Sequence, residues 1–207
     1  MNEFKKEIDN FLKKHKTIKY KKGQVLVRMG DTFDKVIIEK EGFARVYQSN
    51  NEGKEVSWPV LKPMWLYSWI TAFTGGKSQY NVETVTEMEA WSVPIEEFNE
   101  FFKVVKREDL YLSIIKDLVE LSLKIEKLIL AEAYSKVMIL LADLANNFGK
   151  KTDKEVLIDF NIPHRVLASI TGLTRETVTL QILRMQKKGI LENKKRTVLI
   201  KDISKLA

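Results

Sequence analysis

Four consecutive side chains, Thr174, Arg175, Glu176 and Thr177, precede apolar residues at Val178, Ile182 and Met185, spaced four and three apart. That spacing predicts a helix from about Thr174 to Lys188 with one buried face, and it leaves Arg175, Glu176, Thr179 and Leu180 facing outward. The outward set has a definite chemistry. Arginine can pair with O6 and N7 of guanine and glutamate can accept from the cytosine amino group, so the start of this helix can discriminate base edges in a DNA major groove. Thr174 is also a natural helix cap, and Arg175 and Glu176 also suit an ordinary solvated first turn; residue types alone leave both readings open.

The elements around this helix bear on the choice. A preceding helix is expected from about Pro163 to Thr171, followed by a sharp turn at Gly172. Upstream lies a short strand, EVLIDF, and downstream a hairpin, LENKKRTVLIKD, with Lys194, Lys195 and Arg196 between its arms. Helix, glycine turn, helix and basic hairpin is the layout of a winged helix-turn-helix, in which the first helix braces the second and the hairpin suits phosphates. Charge follows the same division. Before Asn146 the chain holds 22 basic and 22 acidic residues, and from there on 13 and 6, so the net charge of +7 lies in the C-terminal part. A basic tail on a neutral body suggests a polyanion as partner.

Residues 18 to about 95 are rich in Val, Ile, Tyr and Trp and are punctuated by glycines. QVLVRMGD, KVIIEKEGFARVYQ and NVETVTEMEAWSV read as strands and NNEGKE as a hairpin turn, which suggests a barrel or jelly roll. From Arg107 the pattern becomes helical. Ile114, Leu118, Leu121, Ile125 and Leu128, spaced four, three, four and three, form a heptad seam suited to self-association, with an intramolecular cap on the barrel as the other use of the same stripe. A second helical run, AEAYSKVMILLADLANNFG, stops at Gly149. The expected architecture is therefore α+β: a sensor-like barrel over 1–106, a dimerisation helix over 107–132, and a winged helix-turn-helix over 133–207.

Several chemistries are closed. With no cysteine the chain forms no disulfide, thiolate zinc site or iron-sulfur cluster. The two histidines are His15 and His164, so the barrel segment lacks the clustered ligands of a metal enzyme, and no phosphate loop or nucleophile elbow occurs. No catalytic residue and no metal site is expected. Haem is argued against, because His164 belongs to the DNA-binding segment. Neither a membrane span nor a leader is indicated, and a cytoplasmic location is expected.

TGLTRETVTLQILRMQKKGIL followed by TVLIKDISKL resembles the C-terminal domain of the cyclic-AMP receptor protein and fumarate-nitrate reductase regulator (CRP/FNR) family. His164, Leu167 and Ala168 match the helix before it. The glycine-punctuated barrel, the LKP turn and the long helix extend the resemblance over nearly the whole chain. It implies a cyclic-nucleotide-binding-like jelly roll and a homodimeric transcription factor on palindromic double-stranded DNA, with RNA polymerase as a further partner. By the same resemblance Arg175, Glu176 and Leu180 are base-reading positions. Many relatives carry Arg where Leu180 stands; leucine can touch a thymine methyl but cannot pair with guanine.

The resemblance weakens at the effector site. Met64, Ser68 and Trp69 stand where cyclic-nucleotide binders have Gly, Gly and Glu, and their phosphate-holding Arg-Ser pair falls on Ser78 and Gln79. Without those ligands a buried phosphate and ribose lose their partners, and Lys77 is a weak substitute, which argues against cyclic AMP. What remains is aromatic. Trp58, Trp65, Tyr67, Trp69, Phe73 and Tyr80, with Leu121 and Ser122 from the long helix, can line a pocket for an apolar or aromatic effector. Alternatively the aromatics fill the barrel themselves and the regulator works without an effector.

Overall fold

The computed structural model describes residues 2–32, 34–59, 76–105, 107–152, 155–160, 162–193 and 197–201. Trp65, Tyr67, Trp69 and Phe73 of the expected pocket, Met64 and Ser68 beside them, and Lys194, Lys195 and Arg196 of the expected wing lie outside the described residues. Two compact units are formed: one from residues 1–48 and 63–122, the other from 49–62 and 123–207.

In the first unit α1 (Asn2–Leu12) leads into β1 (Thr17–Tyr20), β2 (Val25–Val27), β3 (Lys35–Glu41) and β4 (Ala44–Ser49). After the second unit's β5 (Glu55–Ser57) come β6 (Asn81–Thr84), β7 (Met88–Pro94), α2 (Ile95–Val104) and the start of α3 (Arg107–Leu130). β7 pairs antiparallel with β1 on one side and β3 on the other, and β6 does the same between β2 and β4. Two stretches expected as single strands are each broken between these sheets. KVIIEKEGFARVYQ folds at Gly42 into β3 and β4, and NVETVTEMEAWSV turns at Val85–Glu87 into β6 and β7. Gly42 has φ +75°, and a Cβ there would lie 2.2 Å from the Glu87 carbonyl oxygen, so only glycine fits where the two corners meet. The alternation of apolar residues runs on through both corners, which conceals them in the sequence.

Val36, Ile38, Phe43, Val82, Met88, Ala90 and Val93 form the buried centre of this unit. It also holds a charge pair. Arg45, fully buried, donates from Nε and Nη2 to Glu83 Oε2 at 3.0 and 2.6 Å, between directly paired positions of β4 and β6. The Arg45 guanidinium also lies over the Tyr47 ring at 3.9 Å. Helices α1 and α2 were not expected. They meet through Phe11 and Phe101, stacked at 4.2 Å, with Ile8, Leu12, Phe98 and Phe102 buried.

The expected heptad seam meets a displaced column. On α3, Ile114 and Leu121 are half-buried and Leu128 is 6% exposed, whereas Tyr111, Ile115, Leu118, Ile125 and Ile129 stand open. With Ser122 these follow a four-three-four-three-four spacing, so the exposed column shares Leu118 and Ile125 with the expected one and is otherwise turned by one residue.

The second unit contains α4 (Ala133–Phe148), β8 (Lys150–Lys151), β9 (Val156–Ile158), α5 (His164–Thr171), α6 (Arg175–Lys187), β10 (Leu191–Asn193) and β11 (Val198–Ile200). Its sheet runs β10-β11-β9-β8, antiparallel throughout. Val137, Leu140, Leu141 and Leu144 of α4 are buried with Val166, Leu167 and Ile170 of α5 and Val178, Ile182 and Met185 of α6. The expected NNEGKE turn is present: Asn50 N–H donates to the Lys54 carbonyl, and Asn50 Oδ1 accepts from the N–H groups of Glu52 and Lys54. Beyond it β5 meets α5, where Ser57 and Ser169 share a buried hydroxyl hydrogen bond of 2.7 Å and Arg165 faces Glu55 at 3.6 Å. Among the described residues no helix is long and apolar enough to cross a membrane.

Candidate nucleic-acid interface

 Pro163 precedes α5 with φ −56°, a backbone suited to a helix entry, and Gly172 ends it in the left-handed region at φ 70°. Two residues after Gly172, Thr174 caps α6: its backbone is extended (φ −79°, ψ 157°) and its Oγ1 accepts from the Thr177 N–H at 3.1 Å. The cap expected of Thr174 is thus present. Gly172 and Thr174 together set where the recognition end begins, and Val178 and Met185, both fully buried, set which way it faces.

Thr174, Arg175 and Glu176 are exposed in this first turn, Thr179 is half-buried, and Leu180 is 62% exposed. His164, the first residue of α5, reaches the same end of α6. Its Nδ1 lies 2.7 Å from Thr179 Oγ1, and that hydroxyl donates to the Arg175 carbonyl at 2.8 Å. The hydroxyl has one proton and spends it on the carbonyl, so Nδ1 carries the imidazole proton and donates to Thr179. The two helices are thereby joined at the turn that carries Arg175. Partial burial, and after it the charge of Arg175, hold the His164 imidazole below its ordinary value. A second tie lies at the other end of α6, where Arg184 and Lys188 sit over the Tyr134 ring at 5.0 and 4.9 Å. Sequence reasoning missed Tyr134, because nothing in its local pattern marks it as a partner of residues fifty positions on.

The structure brings together His164, Thr174, Arg175, Glu176, Thr179 and Leu180. In the first unit, the effector residues that it describes are spread differently. Ser78, at the place of a phosphate ligand, is buried, and its hydroxyl donates to the Tyr80 carbonyl at 2.7 Å. Gln79 lies on the surface beside Gln48, whose Nε2 donates to the Gln79 carbonyl. Tyr80 and Leu121 are half-buried and Ser122 is exposed. A cavity of about 20 Å³ in this unit is lined by Leu26, Val27, Ile37, Glu39, Ala44, Val82 and Met88, and by none of these three. It has room for a water molecule only. No cluster of metal-ligating side chains occurs among the described residues.

A capped helix with exposed base-pairing side chains, braced by a second helix and followed by a hairpin, defines a winged helix-turn-helix DNA-binding protein. Comparison with known proteins narrows the class. Residues 17–104 match the family model of the cyclic nucleotide-binding domain, and residues 135–207 match that of the Crp-like helix-turn-helix domain. The chain is 25% identical over 187 residues to the global nitrogen regulator of Synechococcus elongatus, covering 86% of this chain and 83% of the relative. It is 26% identical, with the same coverage, to the global nitrogen regulator of a Nostoc species. Among solved structures, TTHB099, a CRP-family transcriptional regulator from Thermus thermophilus, shares the fold with a TM-score of 0.75 at 16% identity, over 91% of this chain and 94% of that one. The chain belongs to the CRP/FNR family. It is a transcription regulator with a DNA-binding helix-turn-helix and a cyclic-nucleotide-binding-type domain, not an enzyme.

Proposed function

We propose that the protein is a cytoplasmic homodimer that places the N-terminal turn of α6 in the major groove of a palindromic operator. In this reading residues 1–106 form the sensor domain, 107–132 the dimerisation helix and 133–207 the DNA-binding domain. Arg175 and Glu176 read base edges, with Thr179 and Leu180 beside them. Thr174 and His164 hold the turn, and Lys194, Lys195 and Arg196 neutralise phosphates. The observation that carries it is the exposure of Arg175 and Glu176 at the capped end of a helix whose opposite face is fully buried. Self-association is supported by the open apolar column of α3, which follows a heptad spacing. RNA polymerase is a partner by family resemblance.

The sensor domain, in the same proposal, takes a small effector other than a cyclic nucleotide. Ser78 has spent its hydroxyl on a backbone carbonyl, and Gln79 brings no charge to a phosphate. The test has two parts. Selection from random duplexes should return a two-fold symmetric site with half-sites about one helical turn apart, ~34 Å. Failure to enrich any sequence would overturn the DNA reading. Cyclic AMP and cyclic GMP should leave the melting temperature unchanged, since a ligand bound only by the native state must raise it. Saturable binding of either in a calorimeter would overturn the effector reading alone.

A further inference from the structure

The face of α6 opposite its buried side is a single column. At about 100° per residue, Glu176, Leu180, Leu183 and Lys187, spaced four, three and four, all point away from Val178, Ile182 and Met185. Leu180 and Leu183 are 62% and 49% exposed, and Glu176 and Lys187 are open at the two ends. Among the described residues, the buried side chains of this thirteen-residue helix are Val178, Ile182 and Met185, and the two leucines are not among them. No basic residue lies between Arg175 and Arg184, and Arg184 is held over the Tyr134 ring. The middle of the outward column is therefore apolar and without a cation.

We infer that Leu180 and Leu183 read the 5-methyl groups of thymines, so that each half-site places thymine beside the base pairs met by Arg175 and Glu176. This inference rests on the major-groove reading proposed above. The thymine methyl is the apolar feature that the major groove offers, and contact with it discriminates without a hydrogen bond. The leucines are about 4.5 Å apart along the helix axis, against about 3.4 Å per base step, so they reach neighbouring base pairs. The flanking charges suit the same occupant: Glu176 can accept from a base amino group, and Lys187 lies at the far end, where the helix leaves the groove toward phosphate.

The test uses the full-length protein and the operator that it selects. Replacing the half-site thymines by deoxyuridine removes only the methyl groups. Each lost contact should weaken binding about fourfold, the weight of one buried methyl. The double variant Leu180→Ala/Leu183→Ala should bind the thymine and deoxyuridine operators within twofold of each other. Both sites are exposed and alanine is the best helix former, so the variant should keep its fold, which circular dichroism checks. A second variant, Leu180→Arg, should shift selection at its base pair from thymine to guanine. Equal affinity of the parent for both operators, with sequence selection intact, would overturn the inference and leave the base-reading function standing. So would a double variant as sensitive to deoxyuridine as the parent, since the methyls would then be read by other residues. If the parent enriches no sequence at all, the proposed function itself fails, and this inference with it.

Discussion

Helices α3 and α4 are neighbours in sequence and both are rich in leucine, isoleucine and valine, yet they treat those residues in opposite ways. On α4, Val137, Leu140, Leu141 and Leu144 are buried within the second unit. On α3, Tyr111, Ile115, Leu118, Val119, Leu123, Ile125 and Ile129 are exposed. A helix whose apolar side is satisfied by its own chain is a structural element. One that leaves a heptad column in water is, in the proposed function, the face for a second copy, because exposed apolar area of that kind is costly and suits an interface. The difference places α4 in the core of the second unit and, in the proposed dimer, α3 at the surface of association.

The largest expected effect is on the satisfied helix. Leu144→Ala should cost about 2–5 kcal/mol in denaturant unfolding, through lost burial and the cavity left behind, with the mass in sedimentation unchanged. Leu118→Lys should do the reverse. It places a charge in the open column, where desolvation opposes association, and should raise the dimer dissociation constant about hundredfold, or ~2.7 kcal/mol, without unfolding the subunit. If Leu118→Lys leaves the mass unchanged, the comparison between the two helices loses its meaning. Leu118 is the sharper position than Leu121, which is half-buried in its own chain.

Smaller effects report on the recognition end. Thr174→Ala removes the side-chain acceptor of the Thr177 N–H and should cost about 1 kcal/mol in unfolding experiments. The smallest effect is one of pH. The His164 pKa is lowered in the folded chain, by burial first and by Arg175 second, so the unfolded chain takes up the proton first. Its stability contribution is complete above about pH 6.5 and is lost as the pH falls through the folded-state value. His164→Gln should flatten that part of the melting-temperature profile relative to the parent. An identical profile would show that the imidazole is not perturbed as its surroundings require.

The C-terminal unit was legible because its signals are local. Gly172, the Thr174 cap and the four-three spacing of Val178, Ile182 and Met185 each lie within one turn of the feature that they specify. The N-terminal unit was less so. Strand alternation persists across Gly42, so two strands read as one, and the close approach that demands glycine involves Glu87, far along the chain. Helices α1 and α2 were missed although Ile8 and Leu12, and Phe98 and Phe102, stand four apart, because each run is short and flanked by charge. The site was only partly legible for the same reason. Arg175 and Glu176 follow from local pattern, but the withdrawal of Arg184 onto Tyr134, which leaves the leucines as the central outward residues, is a tertiary fact.

In the proposed function the first turn of α6 reads bases while the hairpin basic residues hold phosphates, and the losses at Arg175 and Lys195 separate the two most directly. Each variant is titrated on the selected operator and on random duplex at several salt concentrations. Arg175→Ala should cost about 1–3 kcal/mol per half-site on the operator and much less on random DNA. Lys195→Ala should weaken both alike and flatten the salt dependence by about one unit per half-site. Equal losses on operator and random DNA for Arg175→Ala would contradict the account, leaving the Thr174–Thr177 turn a helix cap with a charged surface and placing the base reader elsewhere.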